Sequence, residues 1–158
     1  MTDESGAITF RAATVADIET LANLRWQMSG EYQSDDVTRD EYIAAFREAI
    51  TDELAHGRYR AWLAEADGQP VACTALIWWP MPPNLDEMHR RRGYVSSVFT
   101  HPDYRRQGLA RALMEMLIAE ARELHITKLL LNSSTMGRPL YESMGFVVPE
   151  RGLEIPLH

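Results

Sequence analysis

The chain has 158 residues, 46% hydrophobic and 25% charged, which is enough to bury one core and too few for two ordinary domains. With 16 Lys and Arg against 23 Asp and Glu, its formal charge is -7, a sign that repels phosphate backbones and argues against nucleic acid as a partner. A lone cysteine, Cys73, excludes an intrachain disulfide and a multi-cysteine zinc site, and its apolar surroundings predict core packing.

The acidity is uneven. Residues 1–57 hold 4 basic and 12 acidic residues, net -8, whereas residues 58–158 hold 12 basic and 11 acidic, net +1. An acidic first third either solubilises the surface or draws a cationic small molecule. Every apolar run is broken well short of the roughly 20 residues a membrane helix needs. Residues 1–7 lack the basic and apolar regions of a secretory signal. The expectation is one domain over residues 1–158, cytoplasmic and without a membrane span.

Residues 8–11 alternate as a short strand. Thr14 with Asp17 then reads as a capping pair opening a helix that carries Val15, Ile18, Leu21 and Ala22 on one face. A second pair, Thr38 with Glu41, opens a helix through Tyr42, Ile43, Phe46 and Ile50, which His56-Gly57 stops. Residues 59–65 and 71–79 are strands joined at Asp67-Gly68, a strong hairpin signal. Residues 80–92, rich in Pro and charge, read as an exposed loop, and residues 94–100 as a strand. Leu109, Leu113, Met116, Leu117, Ala121 and Leu124 line one face of a long helix. The nearly continuous apolar run 127–131 predicts a strand buried on both faces, parallel to 94–100 through a crossover. Residues 139–144 form a brief helix capped at Gly145, and 146–148 and 152–157 are closing strands. The predicted order is β-α-α-β-β-β-α-β-α-β-β.

Chemistry concentrates in residues 105–111, Arg-Arg-Gln-Gly-Leu-Ala-Arg, between a strand and the first turn of a helix. A helix start offers unpaired N–H groups and a positive dipole end, and Gly108 with Ala110 keeps side chains clear, so a diphosphate fits on the amides of residues 106–111. Arg105, Arg106 and Arg111 add charge. The alternative is a glycine that eases packing beside solvated arginines. The segment matches neither the three-glycine dinucleotide fingerprint nor the P-loop. His56, His89, His101, His125 and His158 show no ligand spacing, so no metal site is expected. Glu31, Asp35 and Asp36 are a cluster that either recognises a cationic acceptor or is plain surface. Trp78, Trp79 and Met81 either wall an apolar pocket or pack in the core.

Residues 94–114, YVSSVFTHPDYRRQGLARALM, closely resemble the acetyl-CoA motif of GCN5-related N-acetyltransferases (the GNAT superfamily), with Arg105, Gly108 and Ala110 at its pyrophosphate-gripping positions. Residues 139–146, PLYESMGF, resemble the same family's short helix and closing strand. The resemblance implies an α/β fold with a mixed, mostly antiparallel twisted sheet of about seven strands flanked by helices. It implies acetyl-CoA as co-substrate, held by Val98, Phe99, Thr100, Arg105, Arg106, Gln107, Gly108, Leu109, Ala110, Arg111 and Asn132. Val98 and Thr100 would pair through their backbone with the pantetheine arm, and an N–H near Val98 or Phe99 would hold the acetyl oxygen. Tyr141 matches the family's general acid, against the plain alternative of ring packing. The implied reaction is direct acetyl transfer to a primary amine, with a small cationic acceptor expected and Glu31, Asp35, Trp78 and Trp79 as its contacts. A protein or peptide amine and a non-catalytic acetyl-CoA sensor are the alternatives, and a homodimer is compatible with the family.

Overall fold

A computed structural model describes residues 6–30 and 36–157. The elements are β1 (Ile8–Ala12), α1 (Ile18–Met28), α2 (Arg39–Ala55), β2 (Tyr59–Ala66), β3 (Gln69–Pro80), β4 (Arg91–Thr100), α3 (Leu109–Glu123), β5 (Lys128–Leu130) and α4 (Arg138–Ser143). Among the described residues they build one mixed sheet in the order β1-β2-β3-β4-β5, antiparallel except for the parallel β4/β5 pair.

Both predicted helix starts form. The Asp17 carboxylate accepts from the Thr14 N–H at 2.8 Å, and a 3-10 turn, Val15–Asp17, leads into α1. At α2 the Thr38 hydroxyl and the Glu41 N–H and carboxylate close the reciprocal box. The β2/β3 hairpin turns at Asp67 and Gly68, both with positive φ, the pairing a two-residue turn requires.

The sheet is covered on both faces. On one, α3 lays Leu109, Leu113, Leu117 and Ala121 against Trp62, Ala64, Leu76 and Val95. On the other, α1 and α2 bring Leu21, Leu24, Ile43 and Phe46 onto Tyr59, Leu63, Cys73 and Phe99. Leu21, Leu63, Leu76, Leu113 and Leu117 are essentially removed from water, each burial worth about 1.5–3 kcal/mol. Cys73 packs in the core as predicted, donating its thiol to the Ser97 carbonyl.

Two expectations fail at the C-terminal side. Residues 146–157 form no strand among the described residues. Val147, Val148, Leu153, Ile155 and Leu157 stay exposed. Their β-rich composition meets no neighbouring ladder, and Pro149 and Pro156 lack the N–H that one would use. Among the described residues the sheet therefore has five strands, and β5 is its edge. That position also explains why β5 is not buried on both faces: Lys128 is exposed and Leu130 is 41% exposed. Among the described residues no helix is long and apolar enough to cross a membrane.

Arg11 joins β1 to the start of α1 and to β2, with its guanidinium on Asp17 at 2.8 Å and on Glu65 at 2.8 Å. The Arg11 hydrogen bonds hold the Asp17 carboxyl down at about 2. A carboxyl depressed in the folded state contributes stability above its unfolded value near 3.8, and that contribution is lost as pH falls through about 2. Asp17→Asn is expected to cost about 1 kcal/mol at pH 7, a Tm decrease of roughly 2–4 °C. The difference from the parent protein should vanish in thermal melts near pH 2.

A Cβ on Gly93 would meet Leu129 Cδ2 and Leu76 Cδ1, each at 2.8 Å. Gly93→Val should therefore destabilise the fold by about 1–3 kcal/mol, measured by urea denaturation.

Candidate active site

The site begins with one extra residue in β4. Cys73 lies opposite Phe99 and Ala75 opposite Ser96, so two residues of β4, Ser97 and Val98, face the single Thr74 of β3. This is a β-bulge, with Ser97 in the left-handed region at φ 56°. Strand side chains alternate, so Val95 and Phe99 would share a face without it. They do not: Val95 packs under α3 and Phe99 under α1 and α2. The bulge also turns the Ser96 and Ser97 hydroxyls together onto Arg25, at 3.0 and 2.9 Å.

Beyond this point β4 loses its parallel neighbour. Its pairing with β5 joins Arg92 to Lys128, Gly93 to Leu129 and Tyr94 to Leu130, and then stops. From Val95 to Thr100 that edge of β4 has no paired strand among the described residues, a gap in the ladder. Val98 is half-buried against the α3-side core, Phe99 is buried on the opposite face, and Thr100 pairs with Ala72. The Thr100 carbonyl accepts from Arg105 Nε at 3.1 Å, and its buried hydroxyl has no described partner.

The predicted phosphate cradle lies directly after the gap. The backbone enters the left-handed region at Arg106 (φ 65°) and again at Gly108 (φ 78°), the residue that caps α3. A Cβ on Gly108 would meet nothing within 4 Å. The glycine is thus not there to ease packing against protein; its freedom serves the turn and leaves open space above the first N–H groups of α3. Leu109 is buried and anchors the helix start, while Arg105, Arg106, Gln107 and Arg111 are exposed and Ala110 is half-buried. Arg111 reaches Ser143 Oγ at 2.6 Å and ties this turn to α4.

Tyr141, on α4, is half-buried, edge-on to Phe146 at 6.0 Å, and packs on the same apolar cluster as Val98. Burial raises its phenol above the ordinary value. Asn132 is exposed just past β5. Burial pushes the Cys73 thiol up to about 12, so the single cysteine stays protonated and is no nucleophile.

On the α1/α2 face of the bulge is a pocket of about 210 Å³, lined by Arg25, Phe46, Ala49, Ile50, Tyr59, Ile77, Ser96 and Ser97. Glu31 and Asp35 lie outside the described residues. Trp78 and Trp79 do not line this pocket. Trp78 donates its indole N–H to the Gly57 carbonyl at 2.8 Å and carries Arg91 over its ring at 5.1 Å, while Trp79 is exposed at the end of β3. In the loop before β4, Glu87 grips Arg92 with both oxygens, at 3.0 and 3.1 Å, and also contacts Thr127. These contacts sit at the paired end of β4 and β5, away from the gap.

Sequence reasoning missed Arg25 and Tyr59. Arg25 was legible as a cation on the stripe of Ile18, Leu21 and Ala22, one helical repeat along. Tyr59 carried no such signal, because a tyrosine opening an apolar strand reads as core.

The end of the β4/β5 pairing beside a glycine-capped helix start agrees with the family resemblance of residues 94–114, and comparison with known proteins shows the family. Residues 18–146 match the model of the acetyltransferase (GNAT) family, and the chain belongs to that family. It is 33% identical over 90 residues to a glucosamine 6-phosphate N-acetyltransferase of Trypanosoma brucei brucei, 57% of this chain and 59% of that protein. It is 31% identical over 95 residues to an amino-acid acetyltransferase of Edwardsiella ictaluri, 60% of this chain and 20% of that one. The chain thus spans only part of these relatives. A predicted acetyltransferase with acetyl-CoA from Clostridium acetobutylicum superposes with a TM-score of 0.85 at 28% identity, over 96% of this chain and 97% of that one. A GCN5-related N-acetyltransferase from Ralstonia eutropha gives 0.82 at 28% identity, over 96% and 100%.

Gly108→Val tests the cradle. The side chain would enter the open space and force a branched residue into a left-handed backbone. Acetyl-CoA affinity should fall about tenfold or more by calorimetry, beyond the roughly 1–2 kcal/mol of local strain.

Proposed function

We propose that the protein transfers the acetyl group of acetyl-CoA directly to a primary amine. The observation that carries this reading is the parting of β4 from β5 immediately before the glycine-capped start of α3. The gap offers a strand edge to a pantetheine arm, and the cradle offers N–H groups and arginines to a diphosphate. Arg105, Arg106 and Arg111 supply the charge, and Gly108 and Ala110 the clearance. The bulge leaves Ser97 and Val98 without one-to-one partners on β3, where an N–H can hold the acetyl oxygen as it becomes negative. Asn132, exposed just past β5, is assigned a hydrogen bond to the same arm.

In the step itself the amine nitrogen forms a bond to the carbonyl carbon and the carbon–sulfur bond breaks. Tyr141 gives its proton to the departing sulfur and regains one from solvent; the proton lost by the amine passes to water. A thiolate with an ordinary pKa of about 8.5 draws a proton from a phenol near 10 only at close range, and the packing of Tyr141 on the cluster that includes Val98 supports that role. The inert Cys73 supports direct transfer over an acyl-cysteine intermediate. The size of the pocket beside the bulge, about 210 Å³, is below the roughly 300–1,000 Å³ of drug-sized ligand sites. It favours a small acceptor over a protein chain.

Tyr141→Phe should lower kcat by about 10²- to 10⁴-fold and leave the acetyl-CoA Kd nearly unchanged, measured by thiol release and calorimetry on the same preparation. Since burial raises the phenol, kcat of the parent protein should show no decline from Tyr141 ionisation below pH about 10. Unimpaired turnover in the variant would remove Tyr141 from the chemistry.

A further inference from the structure

The pocket on the α1/α2 face is lined by two donors, Arg25 and Tyr59, that face no carboxylate among the described residues. Arg25 occupies the buried stripe of α1, and both N–H groups of its Nη1 go to Ser96 and Ser97. No described residue accepts from Nη2 or Nε, and among the described residues no carboxylate pairs with it. Tyr59 is 2% exposed, and its buried hydroxyl has only the Ser97 side chain beside it, without a well-formed hydrogen bond among the described residues. A buried hydroxyl that is poorly paired costs up to about 1–3 kcal/mol, so an acceptor placed between Tyr59 and the free edge of Arg25 is favourable. Burial raises the Tyr59 phenol, so it stays a donor. The remaining walls, Phe46, Ala49, Ile50 and Ile77, are apolar.

We infer that the acceptor is a small amine that also carries a carboxylate, bound by the free edge of Arg25 and the Tyr59 hydroxyl with its body against Phe46, Ile50 and Ile77. This rests on the acetyl-transfer reading above and names its substrate class. A planar carboxylate matches the fork left on one guanidinium. A phosphate dianion would ask for more than the single cation this pocket supplies. The cationic acceptor expected from the acidic first third takes its acidic contacts from Glu31 and Asp35, which lie outside the described residues, whereas the charge described at the pocket is positive.

The test is a kcat/KM comparison by thiol release for small amino acids against their own carboxamides, with amino-sugar phosphates and polyamines alongside. Acetyl-CoA binding is measured separately by calorimetry. Amino acids should exceed their carboxamides by about 100-fold or more, and Arg25→Gln should collapse that ratio through KM. Tyr59→Phe should raise KM for the amino acids by about tenfold, and both variants should hold acetyl-CoA as the parent does. The proposal is overturned if carboxamides or polyamines serve as well as amino acids, or if a phosphate-bearing amine is preferred to every carboxylate. It is equally overturned if Arg25→Gln binds acetyl-CoA and keeps the ratio. A parent protein that fails to bind acetyl-CoA sinks the acetyl-transfer reading instead. Calorimetry of amino acids alone, parent against Arg25→Gln, then decides the anion site: binding lost in the variant upholds it, and equal or absent binding rejects it.

Discussion

A single additional residue in β4 governs the layout of the molecule. Because side chains alternate strictly along a strand, an unpaired residue at Ser97 exchanges the two faces for everything that follows. Before it, Val95 belongs to the core under α3; after it, Phe99 belongs to the core under α1 and α2. The same kink gathers two neighbouring serines onto one arginine. It also interrupts regular pairing on the stretch of β4 that lacks a neighbour on its other side. The β3 side of the bulge is held by the Cys73 thiol on the Ser97 carbonyl, so a left-handed serine is stabilised from within the core.

The two helical layers then divide the work. In the proposed reading the α3 side, with its glycine turn and three arginines, takes the anionic co-substrate, and α4 brings Tyr141 to it. The α1/α2 side carries a small pocket with polar groups at its β4 end and apolar walls elsewhere. In the reading developed above, the reacting carbon lies near the strand edge between them, so one deformation of one strand serves both partners of the reaction.

Much of this was legible in the chain itself. Both capping pairs, the Asp67-Gly68 turn and the α3 stripe have local causes, and local causes survive folding; only Met114, buried beside that stripe, went unread. The cradle was readable because glycine marks a position where a side chain is unwelcome. What failed was non-local. Residues 146–157 have the composition of strands, but composition cannot supply the neighbour that a strand needs, and the apolar run of β5 does not say that it will be the edge. The bulge was invisible for a related reason: Ser97 is not a residue type that announces a left-handed backbone. Arg25 was the readable omission, a cation on an otherwise apolar helix face.

The brevity of the β4/β5 ladder has a thermodynamic side. Few rungs secure β5 to the sheet, and α4 and the exposed C-terminal stretch follow from it. In the proposed reading, a co-substrate whose own amides run along the unpaired part of β4 supplies the missing rungs, and by mass action its concentration becomes part of the folding equilibrium. At 100 times its Kd such a ligand adds about 2.7 kcal/mol. Resistance of the C-terminal third to proteolysis would then track the supply of the activated thioester, making the persistence of the protein a gauge of the metabolic state that feeds it.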